Sequence, residues 1–436
     1  MIIFINALPS DIFMTKIYIE TAGCSHNFAD SEQMAGLLDQ AKFQIIDEIE
    51  EADVIILNTC TVKTPTENAF YKKLEGIKVQ HPYKIVIIAG CIPQTSRMNL
   101  KEYSLIGTKQ IHNIVEVVEE ALNDNIIHAL DTGEMPPLNL PRVRKNPVVS
   151  IIPISRGCLG ACTFCKTKAA RGNLISYSIE DIKNEVLLSL KDDVKEIWLT
   201  SQDTGCYGFD IDTNLAKLLK VLINLPGQFK IRIGMMNPNH LIKFKDEFLE
   251  VFKSNKIFKF IHLPVQAGND EVLKAMNRKY KVEDFISLVK EIKEKFFRVT
   301  IATDIIVGFP GETDEQHWDT LNLLRNLSPE VVNISKYWPR PKTKAAEMKP
   351  LPTEVVKHRS KIITDICKNI SGLQNERWVN WEGEIIIDEK GKEENQWIGR
   401  NGSYKPVIVN GNYKLGQILR INVKKTTDWD LRGKAI

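Results

Sequence analysis

Residues Val148–Gly172 read VVSIIPISRGCLGACTFCKTKAARG. A β-branched apolar run ends at Ser155, and a loop carrying Cys158, Cys162 and Cys165 follows at once. A thiol with an ordinary pKa of about 8.5 is deprotonated outright when it ligates a metal. Three thiolates spaced C-x-x-x-C-x-x-C can therefore hold three irons of a four-iron cluster that normally takes four ligands. The fourth iron stays open to a substrate, as catalytic metal sites generally do. Gly157 and Gly160 let such a loop fold tightly. A structural zinc site with a fourth ligand elsewhere is the competing reading. The loop's place at the end of the first strand of a βα series favours a catalytic cluster.

Outward from this loop the pattern repeats. VVSIIPIS, KEIWLTS, KIRIGMM, KIFKFIHLPV, RVTIATDIIV and VVNISKYW read as strands separated by helical patterns. Ser178 with Asp181 and Thr313 with Gln316 have the spacing of capping boxes. Six βα units predict a partial α/β barrel with its chemistry at the C-terminal strand ends. Upstream, Lys16–Cys24, Ala52–Cys60 and Lys84–Cys91 are Ile- and Val-rich runs about thirty residues apart, the spacing of βαβ units. Runs this uniformly apolar predict a parallel sheet covered on both faces. From about Gly372, WVNWEGEIIIDEK, QWIGRNGSYKPVIV and QILRINVKK read as antiparallel strands of a small β-barrel. The fold class is α/β, with three domains: 14–134, 147–371 and 372–436. Met135–Pro147, rich in Pro, reads as a linker.

Cys24, Cys60 and Cys91 each close one of the three N-terminal strands. The C-terminal ends of parallel strands share one edge, where open α/β sheets bind ligands, so these cysteines should converge. Only Cys206 and Cys367 of the eight cysteines lie outside the two sets. Composition is that of a soluble globular protein, 43% hydrophobic and 26% charged. No apolar run reaches the roughly eighteen residues of a membrane span, and the cytoplasm is the expected compartment. Met1–Phe13 is apolar without a basic segment and reads as an extension ahead of Met14 rather than a signal peptide. A net charge of +3 is too small to argue for nucleic acid by itself.

RGCLGACTFCKTKAARG (Arg156–Gly172) resembles the signature of the radical S-adenosylmethionine methylthiotransferases. TAGCSHNFADSEQM, LNTCTV and AGCIPQ, and then LTSQDTGCYG, MMNPNHL, IHLPVQAGND, MNRKY, TDIIVGFPGET and NISKYWPRPKTKAA, extend the likeness over nearly the whole chain from Lys16. The resemblance implies two 4Fe-4S clusters and S-adenosyl-L-methionine as cofactors. In the family, the open iron on the Cys158 set chelates the methionine end of the cofactor, and an electron breaks its sulfonium bond to give a 5′-deoxyadenosyl radical. The Cys24, Cys60 and Cys91 set would hold an auxiliary cluster that carries the sulfur. Phe164 matches an aromatic near the adenine, or is ordinary core. Gln202 and Asp203 match contacts to the methionine end. Asn237 and Gln266 are candidates for cofactor or substrate contact, or brace loops. Val307, at the turn into Gly308 and Phe309, would lie against the adenine or pack strand to helix. QAGND stands where the family more often has Q-S-G-S-D, without hydroxyls at Ala267 and Asn269.

The last segment resembles the TRAM domain, an OB-like RNA-binding barrel. From Trp397 it has eight Lys or Arg against Asp428 and Asp430, interleaved with Trp397, Tyr404, Tyr413 and Trp429. Such a stripe suits RNA backbone and unstacked bases, or is a solvated face over core aromatics. Arg400, Tyr404, Lys405, Arg420, Lys424 and Lys425 are the candidate RNA contacts.

The resemblance thus implies an enzyme that places a methylthio group on C2 of a modified adenosine in tRNA. Its partners would be an electron donor such as a flavodoxin or ferredoxin, and a sulfur donor. Lys166, Thr167 and Lys168 after Cys165, and SQDTGCYG, resemble the archaeal and eukaryotic branch acting on N6-threonylcarbamoyladenosine at position 37, with Lys166 and Lys168 as candidate partners of its carboxylate. The competing readings are the isopentenyladenosine branch, the branch that modifies a ribosomal-protein aspartate, and a non-catalytic cluster-bearing scaffold.

Overall fold

The computed structural model describes residues 14–61, 64–130 and 134–436; Met1–Phe13, read above as an extension, lies outside them. The described residues divide into two compact units, 14–61 with 65–130 and 134–143, and 144–436.

The first unit is a parallel sheet of six strands: β1 (Lys16–Thr21), β2 (Gln44–Ile46), β3 (Val54–Thr59), β4 (Ile85–Gly90), β5 (Ser104–Gly107) and β6 (His128–Ala129). Their spatial order is β2-β1-β3-β4-β5-β6. Ile56, Ile87 and Ile106 pack on Met34 and Leu38 of one helix and Val117 and Val118 of another. On the opposite face Ile55, Leu57, Ile88 and Leu105 pack on Phe70, Leu74 and Ile77. Burial on both faces explains why β3 and β4 read as unbroken apolar runs. The stretch read as a linker is not free over its length. Leu138 is buried, Gln33 Nε2 donates to its carbonyl at 3.1 Å, and Val143 N–H donates to Glu32 O at 2.9 Å.

The second unit opens with β7 (Val149–Pro153) and a short antiparallel pair, β8 (Ser155–Arg156) with β9 (Ile175–Ser176), which closes the neck of the cysteine loop. Five more strands follow: β10 (Glu196–Thr200), β11 (Lys230–Ile233), β12 (Phe260–His262), β13 (Thr300–Val307) and β14 (Val331–Lys336). β7, β10 and β11 form one parallel set and β12, β13 and β14 another. An isolated parallel bridge from Ile231 of β11 to Ile257, in the segment leading into β12, sets the two sheets side by side as an open barrel. The box at Thr313 is realised, with Thr313 and Gln316 bonding reciprocally, whereas Ser178 is an N-cap alone, its Oγ accepting from Asp181 N–H.

A 24-residue helix, Thr353–Glu376, runs past position 372, so the expected boundary falls inside it. Beyond it β15 (Glu382–Lys390), β16 (Gln396–Asn401), β17 (Pro406–Asn410), β18 (Ile418–Thr426) and β19 (Leu431–Ala435) form a closed barrel. No described helix is long and apolar enough to cross a membrane.

The turn between β16 and β17 corrects three of the expected RNA contacts. Tyr404, held in the left-handed region at φ 60°, sets its ring 4.9 Å from Phe258 and 5.4 Å from Phe260. The Arg232 guanidinium lies 5.1 Å over the same ring. Arg400 Nε pairs with the buried Asp388 at 2.9 Å. Lys405, 4% exposed, donates to Asn375 at 2.8 Å. Tyr404 docks the small barrel on the larger one, Lys405 ties it to the helix Thr353–Glu376, and Arg400 is held within the small barrel by Asp388; engaged in this way, they have little to offer a phosphate. Arg420, Lys424 and Lys425 are exposed, as is Trp429.

Candidate active site and cluster-binding cysteines

The Cys158 loop is pinned from several directions. Gly157 N–H donates to Gln202 Oε1 at 2.6 Å, and Cys158 N–H to Gly172 O at 3.2 Å. Thr163 bonds through N–H to Met276 O and through Oγ1 to Ala275 O, and Asn277 Nδ2 reaches Ala161 O at 2.7 Å. The thiols of Cys158 and Cys162 converge on Gly160, where a Cβ would stand 3.2 and 3.9 Å from the two sulfurs. Three half-buried thiols around a concavity that a side chain would fill fit a cluster held on three corners.

Sequence reasoning left two neighbours of this loop without a role. The buried Cys206 donates its thiol to Asp203 O at 3.2 Å; its neighbouring sulfur holds the Cys158 thiol down, to about 7, with burial and the Asp203 charge opposing. Burial pushes the Cys162 thiol up, and the guanidinium of Arg278 opposes that, its Nη1 donating to Cys162 Sγ at 3.3 Å. Arg278 also donates to Asn237 Oδ1 and to Pro264 O, and its Nε to the Tyr280 hydroxyl. The M-N-R-K-Y run was the only signal for it.

Asp203 is fully buried. Its Oδ1 accepts from Gly205 N–H and Asn237 N–H at 3.0 Å, and its Oδ2 from Asn237 Nδ2 and His240 Nδ1 at 2.7 Å. Burial pushes this carboxyl up, but His240 and the Asn237 donors outweigh it and hold it below the usual range. A carboxylate taken up on both oxygens has no face for a cofactor, so the expected contact is corrected to a positioning role. Gln202 braces the cysteine loop, and Asn237 links Asp203 to Arg278. Val307 is 1% exposed and its carbonyl accepts from Tyr337 N–H, so it presents nothing to an adenine. A Cβ on the neighbouring Gly308 would come 2.6 Å from Val356, so this turn is close strand-to-helix packing.

Phe164 and Gln266 do face a common space. They line a cavity of about 310 Å³ together with Asp304, Lys336, Tyr337 and Trp338 at the ends of β13 and β14. Gln266 takes φ 74°, fixed by Gln266 N–H to Asp304 O and Ile306 N–H to Gln266 O. Lys166 is buried, and neither it nor Lys168 lines this cavity.

In the first unit, Cys24 precedes the helix Ser25–Gln40, Cys60 follows β3, and Cys91 opens the helix after β4. Because β1, β3 and β4 are adjacent, all three lie on one sheet edge. A Cβ on Gly23 would sit 2.7 Å from Cys60 Cβ, so only glycine lets the first two loops approach this closely. Asn27 ties them, accepting from Cys24 Sγ at 3.3 Å and donating to Thr59 O at 2.8 Å. Thr59 Oγ1 in turn donates to Ala89 O and accepts from Ile92 N–H, joining the Cys60 and Cys91 loops. The geometry fits a second cluster on three thiols.

An open parallel barrel with a three-cysteine loop at the end of its first strand defines a radical S-adenosylmethionine enzyme. Residues 152–324 match the radical SAM superfamily, residues 16–107 match Uncharacterized protein family UPF0004, and residues 378–436 match the TRAM domain. The fold is similar to that of the radical S-adenosylmethionine methyltransferase TsrM from Kitasatospora setae, with a TM-score of 0.56 at 13% identity over 76% of this chain and 75% of that one. The probable threonylcarbamoyladenosine tRNA methylthiotransferase of Pyrococcus abyssi is 42% identical, covering 93% of this chain and 97% of its own. The human threonylcarbamoyladenosine tRNA methylthiotransferase is 38% identical, covering 99% of this chain and 76% of its own. The chain belongs to the threonylcarbamoyladenosine tRNA methylthiotransferase family. It is an enzyme that works with S-adenosylmethionine and a 4Fe-4S cluster.

Proposed function

We propose that this enzyme converts N6-threonylcarbamoyladenosine at position 37 of tRNA to its 2-methylthio derivative. The observation that carries the reading is the Cys158–Cys162–Cys165 loop, pinned beside a strand-end cavity, in a chain that carries a second cysteine set on another sheet edge. Cys158, Cys162 and Cys165 would hold the cluster that supplies the electron for reductive cleavage of S-adenosylmethionine. Cys24, Cys60 and Cys91 would hold a second 4Fe-4S cluster that supplies the sulfur, and another S-adenosylmethionine would supply the methyl group. Gln202, Thr163 and Asn277 keep the first loop in one shape. Arg278 donates to the Cys162 sulfur and balances its negative charge. Phe164 and Gln266 border the space in which cofactor and base meet while water is kept out. An electron donor such as a flavodoxin or ferredoxin and a sulfur donor complete the cycle in the cytoplasm.

The test uses two otherwise identical tRNAs, one carrying threonylcarbamoyladenosine and one isopentenyladenosine. Methylthio product on the first alone is expected. Product on the second alone, or on a ribosomal protein instead, overturns the reading.

Arg420, Lys424 and Lys425, exposed on β18, are proposed to contact tRNA phosphates. Deleting residues 372–436 would cut through the helix Thr353–Glu376 and uncover Phe258 and Phe260, so substitution is the sound test. Changing all three residues to Gln should weaken tRNA binding and flatten its log–log salt dependence by roughly 0.7–0.9 per lost contact. An unchanged slope returns this surface to plain solvation.

A further inference from the structure

We infer that Lys336 recognises the carboxylate of the target nucleoside, which makes the cavity at the ends of β13 and β14 a site for an N6 substituent ending in a carboxylate. This rests on the substrate reading above. Lys336 is the last residue of β14, half-buried, and lines the cavity that Phe164, the neighbour of Cys165, also borders. It makes no ion pair or hydrogen bond through its side chain among the described residues. The acid in the lining, Asp304, is occupied by its own neighbours: its Oδ1 accepts from His262 Nε2 and from Asn333 Nδ2, each at 2.9 Å. The other cation in the lining, Arg340, is buried and already engaged.

A partly desolvated ammonium without a counter-ion is costly to keep, and the cost is recovered when a ligand brings the anion. Trp338, 43% exposed beside Lys336, offers a flat face on which a purine can stack. An aromatic face next to an unpaired amine matches an adenosine whose N6 arm ends in a carboxylate. An isopentenyl arm would cover the amine and leave it unpartnered, which disfavours that substrate.

The experiment measures the affinity of the cluster-loaded enzyme for two anticodon stem-loop RNAs. One carries threonylcarbamoyladenosine, and the other the same nucleoside with its carboxylate blocked as a methyl ester. The wild type should prefer the acid by about tenfold or more, as charge-assisted hydrogen bonds do. Lys336→Met should bind both RNAs alike, at the ester's affinity, and Lys336→Arg should keep a preference. The ester serves as the folding control, because a misfolded variant loses both ligands. In that event Lys336→Gln carries the test with the same two outcomes. No preference in the wild type, or an undiminished preference in the neutral variant, overturns the assignment. Methylthiolation of the acid tRNA by the same wild-type preparation separates that failure from a failure of the substrate reading.

Discussion

Cys158→Ala is expected to reduce formation of 5′-deoxyadenosine from S-adenosylmethionine to the level of protein without clusters. The loop holds its shape through Gln202, Met276 and Gly172, so the substitution removes a ligand and leaves the scaffold standing. Two thiolates do not hold three irons, and the open iron that takes the cofactor goes with the cluster. The Cys206 thiol is the spare sulfur that acts on Cys158 and could serve as a substitute ligand. Cys158→Ala combined with Cys206→Ser is therefore the cleaner form of the test. Cleavage at the wild-type rate in that double variant would remove the loop from the radical chemistry.

Cys60→Ala should give the opposite pattern: cleavage retained, and methylthiolated product lost to the limit of detection. Cys60 lies on the edge of the first unit, joined to Cys24 through Asn27 and to Cys91 through Thr59. Iron should fall from about eight to about four atoms per chain, since one 4Fe-4S cluster is lost and the other stays. Loss of 5′-deoxyadenosine formation with the four remaining irons in place would show that the two cysteine sets do not divide the work in this way.

Much of this arrangement was legible in the sequence, because strand ends are local features. Apolar runs that stop at Cys24, Cys60, Cys91 and Ser155 place cysteines at the C-terminal ends of parallel strands. The parallel topology then brings the distant ones to one edge. Caps at Ser178 and Thr313 are likewise local, and both formed as spaced.

What escaped reading depends on partners far along the chain. Asp203 looks like an open strand-end ligand until His240 and Asn237, more than thirty residues on, occupy both oxygens. Arg278 reaches Cys162 across 116 residues. Charge counts found the basic segment after Trp397 but could not say which face each cation takes. Tyr404 and its neighbours turned inward, where Phe258, Phe260 and Asp388 needed partners. Lys336 drew no notice because a lone lysine at a strand end carries no pattern; only the cavity around it gives it meaning.

The most direct test of the account follows a single hydrogen, the one the 5′-deoxyadenosyl radical would take from C2 of the target adenosine to open that carbon to sulfur. tRNA carrying threonylcarbamoyladenosine labelled with deuterium at C2 is incubated anaerobically with the reduced, cluster-loaded enzyme and S-adenosylmethionine. The nucleosides and 5′-deoxyadenosine are then analysed by mass spectrometry. Deuterium in the 5′-deoxyadenosine, together with a methylthio group on the same adenosine, is the predicted result. Methylthiolated product with unlabelled 5′-deoxyadenosine would contradict it.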